Sequence, residues 1–283
     1  MDYIDFSDLK GKTGVITGGA GVIGSALARG MCHAGINTVI LDLDEEKAVK
    51  LSENLQKGAN VKVKGYKADV LSKESLERVK RRINADFGDI QILINAAGGN
   101  SPKATTNVEE IVSEKTDDLK GSFFDLNISG FDFVFDLNFK GTVLPTMVFA
   151  KDMIKNNQGA IVNISSMNSF RPLTKIPAYS AAKAAVNNFT QWLAVHFAKT
   201  GIRVNSIAPG FFLTAQNRFL LIDEKTNSLK NRGNKILNNT PMGRFGKVEE
   251  LQGTLLYLVS DVSQFVTGIV IPVDGGYSAY GGV

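Results

Sequence analysis

The stretch AYSAAKAAV (178–186) sets Tyr179 and Lys183 four residues apart, with only serine and alanine between them. Positions i and i+4 share a helical face, so a phenol and an ammonium can stand side by side. A tyrosine in water titrates near ~10 and is a poor base at neutral pH. An ammonium ~5 Å away, at an effective dielectric of ~20, is worth roughly 3 kcal/mol and lowers that value by about two units. The pair then works as acid and base. Taken alone, a Tyr-x-x-x-Lys spacing is common, and a packed Tyr179 beside a solvated Lys183 explains it as well. Two further residues bear on the choice. GAIVNIS (159–165) runs into Ser166, 13 residues before the tyrosine, where a hydroxyl can hold a substrate oxygen while the phenol exchanges its proton. Asn138, in FDLNFKG, can bond a helix backbone and hold a water, or simply start a helix.

A second constellation is the glycine-rich turn in ITGGAGVIGSALA (16–28), where Gly19, Gly21 and Gly24 satisfy G-x-G-x-x-G between a strand and a helix. A pyrophosphate needs a tight turn, backbone free of Cβ, and a helix N-terminus whose unpaired N–H groups favour anions. A glycine loop that merely joins the two elements is the competing reading. Asp42 closes NTVILD, 18 residues after Gly24, where a carboxylate bonds ribose hydroxyls and repels a 2′-phosphate. Neither Leu41 nor Leu43 supplies the arginine that such a phosphate requires, so NAD(H) is expected over NADP(H). Asp42 also reads as a helix cap, with Asp44 the other candidate for that place. Asp69 and the run Asn95, Ala96, Ala97, Gly98 fall where the adenine and its ribose would lie, though each singly is ordinary turn chemistry.

The elements that must position these residues alternate. Short β-branched runs at 13–17, 37–42, 61–66, 90–96, 159–165, 202–208 and 268–273 read as strands. Helical patterns at 22–34, 44–57, 72–87, 138–155, 178–199 and 247–260 fall between them. That order predicts an α/β fold with a parallel sheet. Two stretches, 99–130 and 211–240, are too long for simple turns and follow the carboxyl ends of strands. Both are lid-like insertions in this reading, since long connections in compact domains tend to be functional and open sheets bind ligands at that end.

With 283 residues the chain fits one domain spanning 1–283. The net charge of +4, without a basic stripe interleaved with aromatics, gives no footprint for nucleic acid. Cys32 is the single cysteine, so no intrachain disulfide forms and a reducing compartment is expected. The start, MDYIDFSDLK, lacks signal-peptide order, and no apolar run reaches the ~20 residues of a membrane span. A cytoplasmic protein with no membrane partner is the expectation. His33 and His196 have no carboxylate or cysteine cluster at ligand spacing, so no metal is expected. Neither G-x-S-x-G nor G-x-x-x-x-G-K-[ST] occurs, which removes hydrolase and P-loop readings.

At this point the chain resembles the short-chain dehydrogenases/reductases over nearly its whole length. The matching residues are TGGAGVIG, Asp42, NAAG, Asn138, Ser166, the YSAAK run, Pro209 with Gly210, and the closing VDGG at 273–276. The resemblance implies a doubly wound Rossmann-type sheet of about seven strands with helices on both faces, in a homotetramer or homodimer. It implies a tetrad in which Tyr179 is acid and base, Lys183 lowers its pKa and grips the nicotinamide ribose, Ser166 orients the reacting oxygen, and Asn138 holds a relay water. It implies cofactor contacts from Gly18, Gly19, Gly21, Val22, Ile23, Gly24, Asp42, Asp69, Val70, Asn95 to Gly98, Tyr179, Lys183, Pro209, Gly210, Phe212 and Thr214. One position departs: the commoner family turn has a glycine where this chain has Val22.

The 43-residue interval from Asn95 to Asn138, with SFRPLTKIPAYSAAKAAV, APGFFLTAQNR and TPMGRFG, looks like the D-mannonate oxidoreductase (fructuronate reductase) branch. That likeness implies hydride exchange between NADH and a sugar acid substrate, D-fructuronate to D-mannonate. A carboxylate substrate calls for a cation, best a planar fork. Arg171, between Ser166 and Tyr179, is the first candidate, with Arg218 and Lys103 behind it. Asn100, Asn168, Gln216 and Asn217 are candidates for reading hydroxyls, and Phe211 and Phe212 for pocket walls. Exposed loop residues fit all of these positions equally well. A polyol or gluconate-type dehydrogenase, and a non-catalytic NADH-sensing scaffold, are the alternatives.

Overall fold

Short β-branched runs without a polar face are stable only when both sides are covered. The computed structural model describes residues 5–112, 119–214, 217–224 and 226–282, and within them both sides are covered. Seven strands form one sheet: β1 (Thr13–Thr17), β2 (Asn37–Asp42), β3 (Val63–Lys67), β4 (Ile92–Asn95), β5 (Gly159–Ile164), β6 (Ile202–Pro209) and β7 (Val270–Val273). Their spatial order is β3-β2-β1-β4-β5-β6-β7, all parallel. The order reverses between β1 and β4, which opens a crevice at the carboxyl ends of those two strands. The bounds expected from sequence hold for β1 and β2, while β3, β4 and β7 each begin two residues later than their apolar runs suggest.

Successive residues feed opposite cores. Val15, Val39, Leu93 and Ile161 enter one buried cluster, and their next neighbours Ile16, Ile40, Ile94 and Val162 enter the other. Helices α1 (Val22–His33) and α2 (Glu45–Gln56) cover the second cluster, with α9 (Leu251–Val259) beside them. Helices α3 (Lys73–Phe87), α5 (Gly141–Asn156) and α6 (Pro177–His196) cover the first. The sheet is therefore doubly wound, as expected.

The helix expected over 138–155 is part of a longer column. It begins as α4 (Ile128–Phe135), passes through a π-helical turn at Asp136–Lys140, and continues as α5. Asn127 caps the start, its side chain accepting from the Gly130 amide at 3.2 Å. Pro145 inside α5 removes one helical donor. Asn138 takes the Val134 carbonyl through its side-chain amide at 2.7 Å. A polar side chain entering the ladder and a missing N–H both loosen a helix locally, and π turns of this kind gather at functional sites. Within 211–240, read from sequence as a lid-like insertion with no helix assigned to it, lie α7 (Arg218–Leu221) and α8 (Asn231–Asn238). The Asn and Gly residues of NRGNKILN mask α8, which is held by burial of Gly233 and Ile236.

Candidate active site

The turn after β1 is shaped by contacts that exclude side chains. Gly18 has φ +59° and lies so close to β4's exit that a Cβ there would stand 2.7 Å from the Ala97 Cα. A Cβ on Gly24 would stand 2.3 Å from the Gly18 carbonyl oxygen, so the first turn of α1 is drawn tightly onto the loop. Gly21 precedes α1 with extended backbone and no side-chain cap. The first-turn amides thus face the crevice without a protein cap. Val22 lines the same crevice, so glycine is not required at that position. Thr17 Oγ1 accepts from the Ala96 and Ala97 amides at 3.1 and 3.2 Å, which holds the NAAG run beside the glycine turn.

The crevice has a volume of about 590 Å³. Of the expected cofactor residues, Gly18, Gly21, Val22, Ile23, Gly24, Asp42, Asp69, Val70, Ala96, Ala97, Gly98, Gly210, Phe212 and Thr214 line it. Asp42 is not the helix cap: its two oxygens accept from the Ala20 and Asp44 amides at 3.1 and 3.2 Å. Asp44 caps α2 instead, accepting from the Lys47 amide at 3.1 Å. Those bonds fix the Asp42 carboxylate at the mouth of the crevice, with Leu43 beside it. Asp69 is held by the Leu71 amide at 2.9 Å.

Five expected contacts do not line the crevice: Tyr179 and Lys183, which belong to the chemical centre, and three that sit elsewhere. Asn95 points into the sheet, donating to Thr146 Oγ1 at 2.9 Å and Asn163 Oδ1 at 2.8 Å, because the end of β4 faces α5 and β5 there. Gly19 is packed on β2, where a Cβ would meet Ile40 at 2.9 Å. Pro209 is buried at the end of β6 and pairs with Val273. Leu71, Phe133 and Leu137 line the crevice without having been anticipated. Phe133 and Leu137 are an i,i+4 apolar pair leading to Asn138, visible in sequence once the helix is traced back to 128.

The chemical centre adjoins this crevice at Gly98. A Cβ on Gly98 would stand 2.6 Å from Asn138 Oδ1 and 3.1 Å from Lys183 Nζ. Asn138, fully buried, braces the next residue: it donates to the Gly99 carbonyl at 2.7 Å and accepts from the Gly99 amide at 3.2 Å. Tyr179 and Lys183 sit on the first turns of α6, started by Pro177 at a position where proline's missing N–H costs nothing. Lys183 is 4% exposed, its Nζ lying 5.7 Å from the centre of the Tyr179 ring. It donates to the Ile164 carbonyl at 2.7 Å. Ser166 stands close enough to the Tyr179 phenol for its hydroxyl to favour the phenolate. The solvated lysine of the bland reading is thereby excluded.

The electrostatics differ from expectation. Burial pushes the Tyr179 phenol up, only partly offset by the Ser166 hydroxyl, and burial pulls Lys183 down to about 8. Desolvation penalises both charged forms, and at 5.7 Å the ammonium spends its closest hydrogen bond on Ile164 rather than on the phenol. The expected lowering by two units is therefore absent.

The candidate substrate residues scatter. Asn168 lies at the centre, 7% exposed, its Oδ1 buried without a hydrogen-bond partner and its backbone N–H donating to Ser166 Oγ at 3.2 Å. Lys103 stands on a 3-10 turn (Pro102–Ala104) packed on Gly130 of α4, and Ala104 of that turn clusters with Tyr179. Asn100 spends its amide on Thr105 at 2.9 Å. Arg171 turns to the C-terminal segment, its Nε donating to the Ser278 carbonyl at 2.8 Å beside a cavity of about 200 Å³. Arg218 reaches Asn227 at 2.6 Å. Asn217 ties its own loop, accepting from Thr214 at 2.9 Å and donating to Phe212 at 2.8 Å. Gln216 lies outside the described residues. Among those described, no His, Cys, Asp and Glu group converges as a metal site would, and no helix is long and apolar enough to cross a membrane.

The chain is similar to known proteins over nearly its whole length. The family described as enoyl-(acyl carrier protein) reductase matches residues 18–278. An uncharacterized oxidoreductase of Haemophilus influenzae is 52% identical over 277 residues, covering 98% of this chain and 96% of that protein. A 2-dehydro-3-deoxy-D-gluconate 5-dehydrogenase of Dickeya dadantii is 32% identical over 275 residues, covering 96% and 97%. A crystal structure from Haemophilus influenzae, provisionally described as a D-mannonate oxidoreductase with bound NAD, superposes with a TM-score of 0.91 at 53% identity, covering 97% and 98%.

Proposed function

The chain belongs to the short-chain dehydrogenase/reductase family of oxidoreductases, and from that premise we propose an NAD(H)-dependent enzyme that interconverts a keto sugar acid and its alcohol, D-fructuronate and D-mannonate. The observation that carries this is the meeting of Ser166, Tyr179 and Lys183 beside a crevice whose glycines leave room for a pyrophosphate. The cradle fits the dinucleotide: Gly18 and Gly24 admit no Cβ, and the Asp42 carboxylate is fixed for ribose hydroxyls. Bound NADH supplies the hydride. Tyr179 gives its phenolic proton to the substrate oxygen in reduction and takes it back in oxidation, while Ser166 holds that oxygen. Lys183, near Gly98 and donating to Ile164, holds the nicotinamide ribose and stabilises the phenolate once it forms. Asn138 keeps Gly99 and the π turn in place around a relay water.

The sugar-acid substrate is supported by the name of the solved neighbour. Lys103 and Arg171 are the proposed carboxylate partners, the latter after turning from Ser278, with Asn168 reading a hydroxyl. The insertions near 99–130 and 211–240 act as lids, joined by a Lys235–Glu109 pair at 3.0 Å. NADH oxidation is measured with fructuronate, tagaturonate, 5-ketogluconate and neutral ketoses. Preference for fructuronate supports the reading, and preference for a neutral ketose refutes the acid. A gluconate-type dehydrogenase is the second reading, favoured by the relative from Dickeya dadantii. Exposed Met147, Trp192 and Val195 on α5 and α6 support a homodimer or homotetramer, which light scattering checks against the 30.6 kDa chain. The lone buried Cys32 fits a cytoplasmic setting.

A further inference from the structure

Ser166 stands where β5 gives way to a 3-10 turn, Met167–Ser169, with extended backbone at φ −164°. Its Oγ accepts from the Asn168 backbone amide at 3.2 Å, a local bond that leaves the backbone carrying the hydroxyl to be held from elsewhere. The turn is also tied from α6. Asn187 donates through Nδ2 to Ser169 Oγ at 2.7 Å, and Ser169 Oγ donates to the Ser166 carbonyl at 2.6 Å. The Ser169 amide adds a second bond to that carbonyl at 3.0 Å. Asn187 lies four residues after Lys183 and eight after Tyr179 in the same helix, so the three share a face. The helix that carries the phenol and the ammonium thus also grips the backbone of the residue that carries the hydroxyl.

Asn187 is an expensive choice for packing alone. Its Oδ1 is buried without a hydrogen-bond partner. A buried amide with an unpaired oxygen costs free energy that an apolar side chain of similar shape avoids. Its donor side is the part in use.

We infer that Asn187, acting through Ser169, is a positioning residue that holds the Ser166 hydroxyl on the reacting phenol. This rests on the acid/base roles proposed above for Ser166 and Tyr179. Neither Asn187 nor Ser169 lines the crevice, so a small change in KM for NADH is expected when either is replaced. The phenol's surroundings make the effect readable. Among the described residues the charged group facing it is Lys183 of its own helix, while Ala104, Phe131 and Val134, from the 3-10 turn and α4, are apolar. The Ser166 hydroxyl is what opposes the upward push of burial on Tyr179.

The test compares Asn187→Leu, Ser169→Ala, the double variant and Ser169→Thr with the wild-type enzyme, on whichever substrate the wild type turns over. Each of the first two is expected to lower kcat about tenfold, the scale of a slight misplacement, with KM for NADH changed less than about twofold. Each should also move the pH midpoint of alcohol oxidation upward by about half a unit, because the phenolate loses a donated bond. The double variant should match either single variant, since both cut one chain, and Ser169→Thr, which keeps the hydroxyl, should behave as wild type. Unchanged kcat and midpoint in both single variants would overturn the inference. So would multiplied losses in the double variant, or a lowered Tm with normal kcat per folded molecule. A wild type that prefers neutral ketoses would sink the sugar-acid reading and leave these ratios intact, whereas an active Tyr179→Phe enzyme would sink the acid/base premise itself.

Discussion

Replacing Asp42 by Asn removes one charge at the mouth of the crevice and preserves shape. The wild-type carboxylate accepts from two amides, Ala20 at 3.1 Å and Asp44 at 3.2 Å, so its position is set before any ligand arrives. Asparagine keeps one acceptor, and a ribose hydroxyl then meets a neutral partner where it met an ion. The difference between charged and neutral hydrogen bonds is about 1 kcal/mol, which predicts NADH binding weaker by about fivefold. NADPH responds the other way. A doubly charged 2′-phosphate ~6 Å from the carboxylate feels a repulsion of roughly 1.4 kcal/mol even at the dielectric of water, and its removal tightens NADPH by about tenfold. The NADH-to-NADPH preference should therefore fall about fiftyfold. Titration of cofactor fluorescence at 0.1 M and 1 M salt measures both constants, and the NADPH gain should shrink at the higher salt, where charges are screened beyond ~3 Å. Equal losses for the two cofactors would refute the ribose contact. A gain for NADPH insensitive to salt would refute the electrostatic account.

Tyr179→Phe should lower turnover by at least ~100-fold while leaving NADH affinity within about twofold, read by steady-state rates and cofactor titration. Burial holds Lys183 at about 8, below the usual lysine range, so the unfolded chain binds this proton more tightly and protonated Lys183 opposes folding below about pH 8. Lys183→Met should accordingly raise Tm at pH 6, and that gain should fade as pH rises from 8 toward 10, although turnover is lost; thermal melts across pH check the sign. A Cβ on Gly24 would stand 2.3 Å from a backbone oxygen, so Gly24→Ala should cost about 1–3 kcal/mol of stability or displace α1 and abolish cofactor binding. Denaturant melts and NADH titration distinguish the two outcomes.

The sequence by itself determined what depends on spacing along one element. Val15 and Ile16, or Leu93 and Ile94, alternate between two cores because a strand turns its side chains with a period of two, and apolar runs of that kind must be covered on both faces. Tyr179 and Lys183 share a helical face for the same kind of reason, and the glycine turn is legible because a strand-to-helix junction tolerates few other residues at Gly18 and Gly24. What needed the tertiary structure was every property set by a distant neighbour. Asn95 turns inward because Thr146 and Asn163 wait there, and Arg171 faces Ser278, more than a hundred residues away. The π turn at Asn138 arises where a side chain enters the ladder and α5 packs over the sheet. The phenol's direction of shift reversed for the same cause: spacing reveals the cation, while the desolvation that outweighs it belongs to the assembled core.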